Sequence, residues 1–203
     1  DIANLTIAAP RRTTKAPPTN FITDLAVGAP GTAWDGQVWV ATGSRAQHRF
    51  GAGVAALDTR GTQSVADDAW TRFDTKGTDA DGSAPWTGMV GDNVHSIAVL
   101  GDQVWVGSVE TTWSRERRAY TDGGLAVYAG GNWTARTVEN TGGANAGLRS
   151  GNVSALAGGC DGEIWIGTGS PRDGVGAGVD VLKTGASPHV LAQDVWVNHV
   201  YLN

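Results

Sequence analysis

The stretch GEIWIGTGSPRDGVGAGVDVL, Gly162–Leu182, holds the pattern from which the fold can be read. A Trp sits between two Ile residues. A small pair, an irregular polar segment and a Gly-rich return into an apolar run follow it. The pattern occurs three times: QVWVATGS starts at Gln37 and QVWVGSVE at Gln103, so Trp39, Trp105 and Trp165 are 66 and 60 residues apart. Around each Trp lie four short β-rich runs separated by Gly, Asn and Asp turns. The first unit reads ITDLAV, QVWVATG, GAGVAALD, AWTRFDT. The second reads VHSIAVL, QVWVGSV, GGLAVYA, NWTARTV. The third reads VSALAG, EIWIGTG, GAGVDVL and a weaker HVLAQ. Such runs form antiparallel meanders, and four-stranded repeats of this length are the units of β-propellers.

The expected fold is therefore all-β: a β-propeller of four-stranded antiparallel blades, with about three complete blades and flanking single strands in a partial ring. Blades are expected at 22–75, 94–140 and 153–193. Residues 1–10 read as the last strand of a preceding blade and 197–203 as the first strand of a following one. Propellers close with about 4–8 blades, so the chain reads as part of a longer one whose remaining blades, or a protein partner, cover its open faces. In a strand buried on both faces, the two Ile of IWI point one way and the Trp the other. All three Trp are thus expected in the core, with Ala41, Gly107 and Gly167 leaving room as blades converge.

Composition sets the outer limits. The 203 residues include 30 Gly, about twice the usual share, and carry a net charge of −5. That charge speaks against nucleic-acid binding, which needs a basic footprint. No apolar run reaches the roughly 18 residues of a membrane span, so no insertion is expected within this segment. The single Cys160 can form no internal disulfide.

The third unit resembles the two-component-regulator propeller repeat in Asn152-Val153, Asp161-Gly162, Ile164-Trp165-Ile166-Gly167-Thr168 and Gly176-Ala177-Gly178-Val179. The second is similar at Asn93-Val94, Gly101-Asp102, Val104-Trp105-Val106-Gly107 and Gly123-Gly124-Leu125. The first departs, with the longer turn GAPGTAWDG and Ala41 in place of Gly. The resemblance implies a bacterial, extracytoplasmic domain: periplasmic, secreted or at the cell surface. It specifies a blade rather than an activity.

Strand parity locates the candidate site. Second-to-third connectors and unit-to-unit links share one end, and they are the longer ones: SRAQHRF, ETTWSRERRAYTD, GSPRDGVG, and links such as NTGGANAGLRSGN. The first unit blurs this with its long DTRGTQSVADDA at the other end. The long connectors hold Arg45, His48, Arg49, Arg115, Arg117, Arg118 and Arg172, with Trp113, Tyr120 and Phe50 among them. Arg beside aromatic residues suits a protein partner, an acidic ligand or a saccharide. The competing reading is solvated loop charge, partly neutralised by Glu110, Glu116, Asp122 and Asp173. His95, Ser96, Ser154, Asn198 and His199 are expected to open inner strands and to rim a central channel there.

Catalytic signatures are sparse. The sequence holds no nucleophile elbow, zinc-protease helix, Walker loop or Cys pair. GVGAG at Gly174 enters a strand rather than a helix, and DADG at Asp79 lacks most of a calcium loop. No cofactor, metal or catalytic residue is assigned. The expected function is a binding or assembly module, and the alternative is a propeller enzyme on polysaccharide, a glycoside hydrolase or lyase, using carboxylates from distant loops.

Overall fold

Short β-branched runs punctuated by glycine turns favour antiparallel pairing over helix. The computed structural model describes residues 21–43, 51–75, 88–110, 112–114, 119–121, 123–143, 146–170 and 175–199. The first sheet runs β1 (Ile22–Val27), β2 (Gln37–Thr42), β3 (Gly53–Asp58) and β4 (Ala69–Phe73) in that order. The second opens with β5 (Val94–Leu100) and β6 (Gln103–Ser108). A two-stranded hairpin of β7 (Thr112–Ser114) and β8 (Ala119–Thr121) interrupts it, and it closes with β9 (Gly124–Ala129) and β10 (Asn132–Arg136). The third contains β11 (Val153–Gly158), β12 (Glu163–Ser170), β13 (Val175–Lys183) and β14 (Val195–His199). The chain is all-β, with three four-stranded antiparallel sheets.

The sheets stack in chain order. Trp39, Ala41, Val54, Ala56 and Phe73 of the first pack on Val104, Val106, Ala126 and Trp133 of the second. The opposite face of the second sheet, Trp105, Leu125 and Val127, packs on Ile164, Ile166 and Leu182 of the third. The Trp side of the first sheet thus meets the β-branched side of the second, and that of the second meets the third. The first strands of the sheets are neighbours, β1 against β5 and β5 against β11. Within the first core, Tyr128 lies among Trp34, Phe73 and Trp133, and burial raises its phenol pKa above the usual value.

Two expectations are corrected here. The segment expected at 197–203 as the first strand of a further unit is described only to His199, and there it is otherwise: Val195–His199 pairs with β13 through Val179↔His199 to Lys183↔Val195 and forms the fourth strand of the third sheet. HVLAQ, expected as that fourth strand, instead ends in the 3-10 turn Leu191–Gln193. The reason lies in buried polar contacts. Arg136 of the second sheet holds Asp194 at 2.7 Å, and Asn198 donates to the buried Asp180 at 2.7 Å. Together they place the next strand along β13. The second correction concerns Trp165, which is 42% exposed whereas Trp39 and Trp105 are fully buried. Its Ile164 and Ile166 neighbours face the second sheet and are buried, but among the described residues no fourth sheet covers the Trp side. The expected strand at 1–10 lies outside the described residues.

Candidate functional site

The first strand of each sheet, β1, β5 and β11, carries the same irregularity. The register shifts between Ile22 and Asp24, between Val94 and Ser96, and between Val153 and Ala155. Thr23, His95 and Ser154 are therefore one extra residue apiece, a β-bulge repeated three times. Bulges re-aim side chains and recur beside functional sites. Opposite them stand Ala41, Gly107 and Gly167. At Gly107 a Cβ would lie 2.4 Å from both Ser96 Oγ and Val153 Cγ1, so glycine is what lets β11 of the third sheet pack against β6. The small residues are legible in the sequence, but the bulge and the place of Thr23 are not, because the extra residue sits next to the first paired residue of each strand, where too few positions precede it to show a break in the alternation.

The bulges lie at the end where the links between sheets meet the second strands. Asn93 and Asn152, each just before an inner strand, accept from Val109 N at 2.9 Å and Gly169 N at 3.0 Å through their carbonyls. The Asn152 side chain also reaches back one sheet. Its Oδ1 accepts from Glu110 N and its Nδ2 donates to Glu110 Oε2, both at 3.2 Å. Asp92 does similar work beside the first sheet, accepting from Thr75 N at 2.6 Å and Thr75 Oγ1 at 2.8 Å. Asp180, fully buried, accepts from Arg149 Nε at 3.1 Å and from Asn198 Nδ2. Asp92, Glu110 and Asp180 are thus engaged in joining links to sheets. The described residues contain no group of three or more His, Cys, Asp and Glu arranged to hold a metal.

The sequence-derived residues fall in three groups. Arg45, His48, Arg49, Arg115, Arg117, Arg118 and Arg172 lie outside the described residues. Trp113 and Tyr120 are directly paired across the β7–β8 hairpin, so the connector ETTWSRERRAYTD contains a two-stranded ribbon. His95 is half-buried on β5, the first strand of the second sheet. His199 is corrected: it ends the outermost strand of the third sheet, because Val195–His199 is that sheet's fourth strand, and it cannot share an inner-strand rim with His95. Asn198 moves with it.

His199 takes part in a different repeated feature. Phe73, Arg136 and His199 occupy matching places on the fourth strands, opposite Val54, Leu125 and Val179. Each lays a flat group on its sheet's Trp. Phe73 stacks on Trp39 at 5.4 Å, the Arg136 guanidinium sits 5.1 Å over Trp105, and His199 stacks on Trp165 at 6.0 Å with planes 5° apart. The three residue types share only a planar, polarisable face. Alignment by residue type does not reveal the equivalence. An open groove of about 460 Å³ lies at the opposite end, between turns of the second and third sheets, lined by Leu100, Gln103, Asp161 and Thr184 among others.

No protein-family model matches the chain, and no curated protein matches it. Among solved structures, it is similar to the extracellular domain of a hybrid two component system, BT3049, from B. thetaiotaomicron, at 15% identity and a TM-score of 0.47. The match covers 92% of this chain and 18% of that one, so this chain spans less than a fifth of the length of that solved chain. At that level of similarity no residue role is transferred. Among the described residues no helix is long and apolar enough to cross a membrane.

Proposed function

We propose that the three sheets are consecutive blades of a β-propeller that works outside the cytoplasm as a binding or assembly module. The end bearing the long connectors is its recognition face. The observation that carries this reading is the adjacency of β1, β5 and β11 together with their threefold repeated bulge. First strands that neighbour one another put all three sheets on a common inner side, as blades around an axis require. The resemblance of the repeat motifs to two-component-regulator propellers supports the extracytoplasmic location. The Arg-bearing connectors follow β2, β6 and β12, whose last residues pair near the bulges, and their cations suit carboxylate or sulfate groups.

The test is retention on an immobilised acidic polysaccharide, polygalacturonate or heparin, at low and high salt. Changing Arg115, Arg117 and Arg118 together to Glu is expected to weaken binding at least about tenfold, or about 1.4 kcal/mol. Arg60→Glu, in an exposed turn at the other end, is expected to leave binding unchanged. The difference shrinks with salt, since exposed charges are screened within about 8 Å at physiological ionic strength. Equal effects at both ends, or none at either, would overturn the recognition face.

A further inference from the structure

The nine-residue turn GAPGTAWDG of the first sheet, residues 28–36, has a counterpart of two residues, Gly101-Asp102, in the second. The long turn reaches over to its neighbour. Ala33 N donates to Asp102 Oδ1 at 2.7 Å, and the Trp34 ring lies edge-on 5.1 Å from Trp39 and 5.6 Å from Tyr128 of β9. The chain itself thus puts a ring and an amide into the space between the β1–β2, β5–β6 and β9–β10 turns. The corresponding turns of the second and third sheets are β5–β6, β11–β12 and β13–β14. These line the open groove of about 460 Å³ through Gly101, Asp161 and Thr184. The short turn Gly101-Asp102 has nothing to lay into it. Counting from the tryptophans, Leu100 stands where the first sheet has Gly28, and it reaches across Gly158 to form the floor.

We infer that this groove binds an aromatic side chain of a partner polypeptide, with Asp161 accepting the backbone N–H of the residue ahead of the ring. The chain's own Ala33-Trp34 pair is the template. There a ring is held by packing and an N–H by a carboxylate, a charge-assisted bond. Trp34 Nε1 has no hydrogen-bond partner among the described residues, so the indole N–H does not position the ring. A backbone N–H one residue ahead of a ring is a feature of a polypeptide, and no free indole or sugar offers it. Asp161 supplies the matching carboxylate. It is exposed at the groove, and its φ of 60 lies in the left-handed region that Asp visits more readily than most residues.

The remaining lining suits such an occupant. Gly101 and Gly162 have no atom within 4 Å of a Cβ position, so the space above both turns is open to a ring. Gln103 Oε1 accepts from Trp105 Nε1 at 3.0 Å, which leaves Gln103 Nε2 as a donor to a peptide carbonyl. The half-buried Thr184 adds a hydroxyl on the other side. The groove lies at the end opposite the bulges, so this inference rests on the repetition of the sheets and not on the recognition face.

The experiment is an NMR titration of the methyl-labelled full chain, read at Leu100 and Thr184. The probes are acetyl-Ala-Trp-amide, acetyl-Pro-Trp-amide, acetyl-Ala-Ala-amide and methyl β-glucoside. Saturable shifts are expected with acetyl-Ala-Trp-amide. Acetyl-Pro-Trp-amide lacks the N–H and is expected to bind about fivefold more weakly, the effect of losing one hydrogen bond to a charged group at an open site. The Ala-Ala and glucoside probes should not saturate. Asp161→Gly keeps the left-handed backbone and removes the carboxylate, so it is expected to bind the two Trp probes equally. Thr184→Trp fills the groove from within and should abolish binding of both, with circular dichroism unchanged. If that variant fails to fold, Gly101→Asn projects into the same space and tolerates the left-handed conformation. Wild-type resonances unmoved by acetyl-Ala-Trp-amide would overturn the inference. So would equal binding of the Ala-Ala probe, or saturation by the glucoside in its place. A preference for the Ala-Trp probe that survives in Asp161→Gly removes Asp161 from the contact and overturns it too. Retention on heparin is expected to be the same with and without the dipeptide, so this inference and the proposed function fail on separate measurements.

Discussion

The second and third sheets carry nearly the same second strand, QVWVGS and EIWIGTGS, yet Trp105 is fully buried and Trp165 is 42% exposed. The two tryptophans share their β-branched neighbours, and a planar side chain from the fourth strand lies on each. What differs is the layer beyond. Trp105 has the Ile164 and Ile166 side of the next sheet against it, whereas among the described residues Trp165 has only His199. The repeat therefore encodes a surface rather than a core. Burial is completed by the neighbour, as in other repeat architectures where each unit hides its apolar face against the next.

The most direct way to break the comparison is to truncate both rings. Trp105→Ala is expected to cost about 3–5 kcal/mol, the usual range for a buried Trp. Trp165→Ala is expected to cost less than about 1.5 kcal/mol in the monomer, since much of its area is already in water. Urea unfolding of each variant measures the pair. Equal losses would mean that the third sheet is covered in solution, and concentration dependence of the Trp165→Ala loss would identify a copy as the cover.

The join between these two sheets offers the next effect. Arg136 and Asp194 are both buried, linked by two hydrogen bonds of 2.7 and 3.0 Å, and Arg136 also donates to Pro188 O at 2.8 Å. Asp194→Ala leaves the guanidinium buried without its counter-ion and is expected to cost about 3 kcal/mol, at the low end for a broken buried pair. Converting the pair to Met and Leu should restore most of that stability, because desolvating two charges offsets much of their attraction. A loss confined to the third sheet, read by hydrogen exchange on β13 and β14, would show that the pair anchors β14. Uniform weakening across all sheets would contradict that role.

The smallest effect compares Gly107 with Gly167, the same repeat position in the two sheets. An Ala at 107 would push a methyl to 2.4 Å from Val153 Cγ1, and overpacking of this kind costs about 1–3 kcal/mol. At 167 the nearest atom is Ala155 Cβ at 3.1 Å, in the same sheet, and the cost is expected to stay below about 1 kcal/mol. Thermal melts of Gly107→Ala and Gly167→Ala separate them. If Gly167→Ala proves as costly as Gly107→Ala, an inner strand from elsewhere packs on the third sheet.

Much of this molecule was legible from residue order. The alternation of small, β-branched and aromatic residues specifies short strands, and Gly-rich turns specify how they reverse. Gly130 and Gly131, both at positive φ, make the tight β9–β10 turn that sequence reading expects of a Gly pair. The Asn-Val starts marked real joints, since Asn93 and Asn152 tie links to second strands. The candidate site was less legible. The Arg-rich connectors could be identified as long and basic, but nothing in their residue order sets their geometry. The sequence does not place His199, because VNHVYLN has the alternation of a first strand and of a fourth strand alike.

The sequence by itself determined the kind of element, the repeat and the side of each strand that is apolar, because those follow from local sterics and the two-residue period of a strand. Only the tertiary structure decided which strand completed which sheet, which tryptophan was buried, and that Phe73, Arg136 and His199 are equivalents. Each of those depends on a group distant in the chain. Asp194 finds Arg136 58 residues away, Trp105 is buried by Ile164 and Ile166, and a planar side chain of any type serves over an indole. Local pattern sets what a strand can present, while burial and pairing energies between distant strands decide what it meets.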